Sequence, residues 1–291
     1  MTNLPMILRV LALRRRLRGR ERWPHERLLA HQARALAELR QHALRRSRFY
    51  QRLHRGLERA PLTELPIVTK AMIMGAFDEA VVDPALRLAD VERYLQRLVG
   101  NERFAGRYWV STTSGSSGRK SIIPSDVHEW ATIIAGYARA NEWAGIRTSL
   151  VRRVTMAVVS SINPAHGSAR VAMTVRSAFV VSHRFDAGQP LGELVAALNE
   201  IRPAVLIAYA SMIRILAEEQ LGGRLRIAPR GVNCSSEVLT GEARALATRA
   251  WGQPPFEVYA ATETGGIAAE CSAHNGMHLF EDLVIAESVD L

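Results

Sequence analysis

Apolar residues in the second half of the chain follow two alternating spacings. Apolar runs of strand length lie at residues 153–159, 204–209, 231–234 and 256–259, and a further apolar stretch lies at 171–181. Between these runs, apolar residues recur three and four positions apart at 191–201, 212–221 and 240–251. The second spacing is that of helices with one buried face. Alternating strands and helices predict an α/β fold with largely parallel sheets flanked by helices.

The first half of the chain is less regular. Apolar residues recur with helical spacing over 25–57, which predicts one helix there. A strand is predicted at 107–110 and is followed by a polar loop. The pair Ser125-Asp126 can then cap a helix that runs to about residue 144. The tail, 277–289, predicts two more strands.

Charge divides the chain unevenly. Residues 1–60 hold 16 arginines and 4 glutamates, whereas the remainder has 22 basic and 24 acidic residues. We therefore predict a basic helical segment at 1–60 and an α/β domain at 61–291. The charge would permit contact with nucleic acid or an anionic membrane. A solvated, arginine-rich helix is the favoured interpretation, and no nucleic-acid partner is clearly indicated.

The length of apolar runs and the number of cysteines bear on membrane insertion and on the cellular compartment. No apolar run reaches the roughly 18 residues that a membrane span needs, so no transmembrane segment is predicted. The apolar stretch near the N-terminus lacks the charge order of a secretory signal. Two cysteines, Cys234 and Cys271, provide no disulfide framework. A reduced, cytoplasmic setting is predicted.

A serine- and glycine-rich loop follows the predicted strand at 107–110. It contains Thr113, Ser114, Gly115, Ser116, Ser117 and Gly118, and it ends at Lys120. Glycines let a backbone approach an anion closely, and hydroxyl and amide groups donate to it. A Walker loop is excluded, because Arg119 stands where that motif requires glycine. Phosphate binding is the prediction, and a flexible linker is the alternative.

Two further polar clusters each follow a predicted strand. They are Ser235, Ser236 and Glu237, and then Tyr259, Ala260, Thr262 and Glu263. The hydroxyl of Thr262 can donate to a phosphate oxygen, and Glu263 can hold Mg²⁺, which prefers oxygen ligands. The small residues of the first cluster could line a flat purine pocket. Ordinary turns are the alternative for both clusters.

Together the three clusters resemble the adenylate-forming superfamily of acyl-CoA ligases, in which a Thr-Ser-Gly loop precedes a Tyr-Gly-x-Thr-Glu motif. Within it, the likeness is strongest to the phenylacetate–CoA ligases and the related coenzyme F390 synthetase-like proteins. Further likeness lies at residues 45–50, 65–70, 270–271 and 276–282. The resemblance covers about residues 30–291.

The resemblance implies the N-terminal-domain part of an adenylate-forming enzyme. Such an enzyme uses ATP and Mg²⁺ to turn a carboxylic acid, here aromatic or otherwise apolar, into an acyl-adenylate, and coenzyme A then displaces AMP. By motif match, 113–118 would hold the β- and γ-phosphates, Thr262 the α-phosphate and Glu263 the magnesium ion. The adenine would be framed by Ser235, Ser236, Glu237, Tyr259 and Ala260, the last standing where the motif has glycine.

The resemblance also implies a missing part. Members of the family continue for well over a hundred residues, with a ribose-binding aspartate and a mobile domain that carries a catalytic lysine. The chain is therefore expected to be incomplete, either as a fragment whose partner chain supplies that domain or as a truncated homologue. Two other functions stay open, namely transfer of the acyl group to an amine or carrier thiol, and a non-catalytic nucleotide-binding scaffold.

A zinc site is a weaker hypothesis. Cys271, His274 and His278 are ligand types at close spacing, and Cys234 could be a fourth ligand. The alternative is a buried cysteine beside ordinary loop histidines.

Overall fold

The structure is a computed structural model that describes residues 3–113, 120–146, 153–174 and 180–288. Its helices are α1 (Leu4–Arg20), α2 (His25–Arg46), α3 (Arg48–Leu53), α4 (Lys70–Gly75), α5 (Phe77–Ala80), α6 (Leu88–Arg97), α7 (Val127–Trp143), α8 (Gly167–Thr174), α9 (Leu191–Ile201), α10 (Ala210–Leu221) and α11 (Gly241–Trp251). Its strands are β1 (Trp109–Thr112), β2 (Ile122–Ser125), β3 (Val154–Ser160), β4 (Val180–Asp186), β5 (Val205–Ala208), β6 (Gly231–Ser235), β7 (Phe256–Ala261), β8 (Gly265–Glu270) and β9 (Met277–Leu279). A short 3₁₀ turn lies at Leu62–Glu64.

Seven of the described strands form one sheet in the order β4-β3-β5-β6-β7-β8-β9. The strands from β4 to β7 run parallel to one another, and β8 and β9 are antiparallel additions at one edge. The predicted α/β class with a largely parallel sheet is therefore confirmed. The remaining two strands, β1 and β2, pair antiparallel with each other.

The central strand β6 shows how the sheet packs on both faces. Val232 and Cys234 point into the main core, which β3 and β5 share with α9, α10 and α11. The alternate residues Gly231 and Asn233 face α7 and the turn that follows it. A Cβ at Gly231 would lie 2.8 Å from Cγ1 of Ile146, so any larger residue would push the turn away. The alternation expected of a strand thus gives each face its own helix layer.

Helix α7 also holds the N-terminal helix. Met6 of α1 is buried with Trp109 and Trp130, whose rings stack 5.8 Å apart. Arg14 of α1 donates to Glu142 at the end of α7, at 2.7 Å. The basic segment therefore packs on the α/β layers through both apolar and charged contacts. No helix in the described part of the chain is long and apolar enough to span a bilayer.

Four local predictions need correction. The helix predicted at 25–57 breaks at Ser47, which is extended and caps α3 through its hydroxyl. The loop at 113–120 leads into β2, not directly into a helix. The apolar stretch at 171–181 is split between α8 and β4, and the tail contains one strand, β9, with no further strand described to residue 288.

Candidate functional site

The parallel strands end in polar residues at one edge of the sheet. Ser235 is the last residue of β6 and pairs with Val258 of β7, which continues to Ala261. Tyr259 and Ala260 continue β7, and Thr262 begins the turn into β8. In parallel α/β sheets this carboxyl edge is where ligands bind. The structure therefore brings the two polar clusters predicted from the sequence together.

The stem of the serine- and glycine-rich loop is described, and its tip is not. The amide of Thr113 donates to the carbonyl of Ser121 at 3.1 Å, and the amide of Ser121 donates to the Thr113 hydroxyl at 2.9 Å. These bonds close the hairpin between β1 and β2. The predicted phosphate-binding residues Ser114, Gly115, Ser116, Ser117 and Gly118 lie outside the described residues.

The loop stem lies beside the N-terminus of α8. The amide of Thr112 donates to the carbonyl of Ala165 at 2.7 Å, which draws β1 toward the segment before that helix. A Cβ at Gly167, the first residue of α8, would be 3.8 Å from Cγ2 of Thr262. Free amides at a helix N-terminus favour anions. The loop stem and Thr262 thus both lie beside the segment that begins α8.

His166 is a residue of this edge that the sequence motifs do not identify. It forms a bridge with Thr112 just before α8. Burial lowers its pKa, and the positive charge of Lys120 lowers it further. A neutral imidazole at neutral pH can serve as a hydrogen-bond donor or acceptor beside the loop stem. The sequence around residues 166–167 matches no motif. The position of His166 beside the loop stem depends on its pairing with Thr112 of β1, which is distant in sequence.

In the cluster at the end of β6, Ser236 and Glu237 have different structural roles. Ser236 has a left-handed backbone with φ of 70°, which turns the chain sharply at the sheet edge. One carboxylate oxygen of Glu237 accepts the amide of Ser211 at 2.8 Å in the first turn of α10. Glu237 therefore holds a helix start next to the predicted adenine position. Tyr259 is 58% exposed, so one face of its ring is open for stacking.

Glu263, the predicted magnesium ligand, is exposed in the turn between β7 and β8. No described residue forms a hydrogen bond or ion pair with its carboxylate. Both oxygens are therefore free to bind a cation at the sheet edge.

A cavity of about 250 Å³ lies behind this edge, between α7, α8 and the sheet. Its lining is mostly apolar and includes Met156, Val158, Ile207, Val258 and Val171. Its lining includes Ser235 and Ser236, so the cavity extends to the first of the two polar clusters. The cavity could not be predicted from the sequence, because its walls come from segments more than 100 residues apart.

The predicted zinc ligands do not come together. The Sγ atom of Cys271 lies 3.3 Å from Nε2 of His278, but His274 contacts Glu270 instead, with Nδ1 3.3 Å from a carboxylate oxygen. Cys234 is in the core, where burial raises the pKa of its thiol to about 12. Within the described ranges there is no group of three or more side chains arranged to hold a metal ion. The zinc hypothesis therefore finds no support.

Solved structures of known proteins share this architecture. A 2-hydroxyisobutyryl-CoA ligase in an open conformation, in complex with 2-HIB-AMP and CoA, matches with a TM-score of 0.68 and 19% identity over 88% of this chain and 55% of the ligase chain. The same ligase in the postadenylation state, in complex with 2-HIB-AMP, matches with a TM-score of 0.67 and 19% identity over 89% of this chain and 54% of that chain. The chain shares the fold of this CoA ligase over most of its own length.

This shared fold is the architecture that the resemblance drawn from the motifs implies. The chain spans about half the length of the ligases that it matches. No protein-family profile and no curated protein matches the sequence. Because these comparisons show only the fold, any function has to be argued from the residues at the carboxyl edge of the sheet.

Proposed function

We propose that the chain provides the nucleotide and acid sites of an ATP-dependent ligase that converts a carboxylic acid to an acyl-adenylate and then to a coenzyme A thioester. The observation that carries the proposal is the apolar cavity whose lining extends to Ser235 and Ser236 at the sheet edge. An apolar acid in that cavity would present its carboxylate at the sheet edge, beside the loop stem and Thr262.

The edge fits a two-step reaction. In the first step, a carboxylate oxygen attacks the α-phosphorus of ATP, the bond to the bridging oxygen breaks, and pyrophosphate leaves. In the second, the sulfur of coenzyme A attacks the acyl carbon, the bond to AMP breaks, and the thiol proton is released. Positioning and charge stabilisation are what the protein contributes to such displacements.

Each predicted residue has a place in this scheme. Residues 113–118 would hold the β- and γ-phosphates, and the hydroxyl of Thr262 would donate to the α-phosphate. Ser235, Ser236 and the exposed ring of Tyr259 would border the adenine. Glu237 would act through the α10 N-terminus that it holds.

Glu263 fits a magnesium ligand, because its carboxylate is exposed and free of other partners among the described residues. When bound there, magnesium would neutralise phosphate charge. The acid is proposed to be aromatic or otherwise apolar, in keeping with the cavity lining. A mobile C-terminal domain, in the same or a partner chain, and a cytoplasmic location complete the proposal.

Two assays test the proposal directly. ATP binding to the full chain, measured by calorimetry, is expected in the presence of magnesium. Exchange of labelled pyrophosphate into ATP, measured with a panel of aliphatic and aromatic acids, is expected with apolar acids. If the chain binds no ATP, the nucleotide site is wrong. If it binds ATP but no acid in the panel supports exchange or binds, the acid site is wrong.

The first residue-specific prediction concerns Glu263. Glu263→Gln is expected to weaken magnesium-dependent ATP binding at least tenfold, because a neutral amide is a poor ligand for a hard cation. Calorimetry with and without magnesium measures the change. The matched control is Glu200→Gln, on an exposed part of α9, which should leave binding unchanged. Equal magnesium dependence in wild type and Glu263→Gln would remove Glu263 from the metal site.

A further inference from the structure

One face of α1 carries a stripe of exposed leucines. Leu4, Leu8 and Leu11 are 58%, 58% and 60% exposed. They recur four and three positions apart, so they lie on one face of the helix and span about 10 Å along its axis. The opposite face, which includes Met6 and Leu17, is buried. Single exposed leucines are ordinary, but a continuous row of them indicates a surface that another partner covers.

Arginines continue the same face toward the C-terminal end of α1. Arg15 lies one turn after the last leucine of the stripe, Arg16 follows it, and both side chains are exposed. Neither forms an ion pair or hydrogen bond with a residue that the structure describes, whereas Arg14 and Arg18 bind Glu142. The sequence of α1 contains six arginines and no acidic residue. Exposed positive charge therefore adjoins the leucine stripe.

The surface of an anionic bilayer fits both parts of this face. Leucine side chains gain free energy when a helix lies parallel to a membrane and buries them between the headgroups and the acyl chains. Guanidinium groups form paired hydrogen bonds with phosphate oxygens, and the negative surface of anionic lipids attracts them. Because α1 packs on α7 through its opposite face, docking in this way requires no rearrangement of the fold.

Two other partners fit only one part of the face. The phosphates of a nucleic acid would pair with the arginines, but α1 has no aromatic residue to stack on bases, and the leucines would stay in water. A second copy of the chain could cover the leucines, but it would bring a second set of arginines toward the first. The combination of leucines and arginines therefore favours an anionic lipid surface.

We propose that α1 docks this protein on anionic membranes, with Leu4, Leu8 and Leu11 inserted at the lipid interface and Arg15 and Arg16 bound to phosphate headgroups. The helix lies on the bilayer and does not cross it. This interaction surface goes beyond the proposed function and does not depend on it, because neither ATP nor the acid takes part.

Vesicle binding by the full chain tests the proposal. The chain is sedimented with vesicles of equal parts phosphatidylcholine and phosphatidylglycerol, and separately with vesicles of phosphatidylcholine alone. Binding to the anionic vesicles is expected to be roughly tenfold tighter and to weaken as salt screens the arginines. Equal binding to both kinds of vesicle, or no binding to the anionic ones, would overturn the proposal.

Substitutions separate the contributions of the leucines and the arginines. Leu8→Glu is expected to weaken binding to anionic vesicles roughly tenfold, because it places a charge at the lipid interface. The double variant Arg15→Gln, Arg16→Gln should also weaken it roughly tenfold by removing two positive charges. The matched control is Leu221→Glu in α10, which adds the same charge at a leucine that is 49% exposed on the other face of the sheet. It should bind like wild type.

The replaced side chains are all exposed, so the variants should keep the fold, and circular dichroism checks this. Binding that survives both Leu8→Glu and the arginine variant, or that Leu221→Glu weakens equally, overturns the assignment to α1. A dimer that Leu8→Glu converts to a monomer, without vesicle binding, would assign the leucines to a second copy. Binding of duplex DNA without vesicle binding would assign the arginines to nucleic acid. The wild-type comparison requires no substitution, so a misfolded variant cannot obscure the result.

Discussion

Arg139 and Asp282 form a buried ion pair between α7 and the segment after β9. The guanidinium donates two bonds to the carboxylate, with Nη1 to Oδ1 at 2.7 Å and Nη2 to Oδ2 at 2.9 Å. The side chains are 2% and 7% exposed. Arg139 also lies over the ring of Phe280, at 4.9 Å from its centroid. Because both side chains are nearly inaccessible to solvent, water cannot take the place of either partner's hydrogen bonds.

Loss of the carboxylate should therefore be costly. Asp282→Asn is expected to lower the free energy of unfolding by about 3 kcal/mol, because the buried guanidinium then keeps only a longer ion pair, 3.5 Å from Nε to a carboxylate oxygen of Glu21. Urea unfolding followed by circular dichroism measures the change. The neighbouring exposed variant Glu281→Gln is the control, with an expected change within about 0.5 kcal/mol. A loss under 1 kcal/mol for Asp282→Asn would show that the pair contributes little.

The positions of individual residues could be predicted from the sequence where they directly follow an apolar run. Thr262 and Ser235 follow apolar runs, so their place at the strand ends could be predicted and is confirmed. Asn233 stands inside the apolar run at 231–234. Its hydrogen-bond partner Asn141 lies 92 positions away, and no pattern along one sequence connects the two.

Helix α7 is the element that joins the site to the rest of the fold. It provides a wall of the cavity and contacts α1 and the sheet. Its N-terminus has a complete capping box. Asp126 accepts the amides of His128 and Glu129 at 2.7 and 2.9 Å, and Glu129 accepts the amide of Asp126 at 2.8 Å. The sequence predicted a cap at Ser125-Asp126, and the structure places it at Asp126.

Removal of this cap should weaken the whole helix. Asp126→Ala is expected to cost about 1 kcal/mol, because two amides in the first turn lose their acceptor. Asp126→Asn keeps an acceptor oxygen and should cost clearly less. Thermal and urea unfolding of both variants measure the difference. Equal stability of Asp126→Ala and wild type would mean that water satisfies these amides equally well.

Strands and helices were predictable to different degrees. The parallel strands β5, β6 and β7 are apolar runs bounded by turns, and their prediction is confirmed. Strand β8 was missed because it begins with Gly265-Gly266, which have no preference for strands. The structure supplies the reason for the glycines. A Cβ at Gly266 would lie 2.7 Å from Cε2 of Phe280, so close packing selects glycine where strand propensity would not.

At the scale of the whole molecule, charge attaches the basic segment to the α/β layers. Arg14 and Arg18 both bind Glu142, at 2.7 Å each, and Arg20 lies 3.7 Å from Asp282. Part of the positive excess of residues 1–60 is therefore used inside the molecule. This could not be predicted from composition, because a charge count does not show which arginines meet carboxylates. The division at residue 60 stays a prediction.

The attachment should respond to acid. Burial alone would raise the pKa of Glu142, but hydrogen bonds and charges from Arg18 and Arg14 outweigh it and hold that pKa below its ordinary value of 4.5. Near and below that value, the unfolded chain takes up a proton on this carboxyl more readily than the folded chain. The stability that Glu142 contributes is therefore complete above about pH 5 and is lost as the pH falls through its folded pKa.

Glu142→Gln isolates this contribution. At pH 7 the variant should be less stable than wild type, because the buried Arg14 loses one of its two counter-charges, Glu21 being the other, and the difference should shrink steadily below pH 4.5. Urea unfolding of both proteins between pH 3 and pH 7 measures it, with Glu200→Gln as the matched exposed control. A difference that stays constant down to pH 3 would show that α1 is held by its apolar contacts, such as Met6, and not by charge.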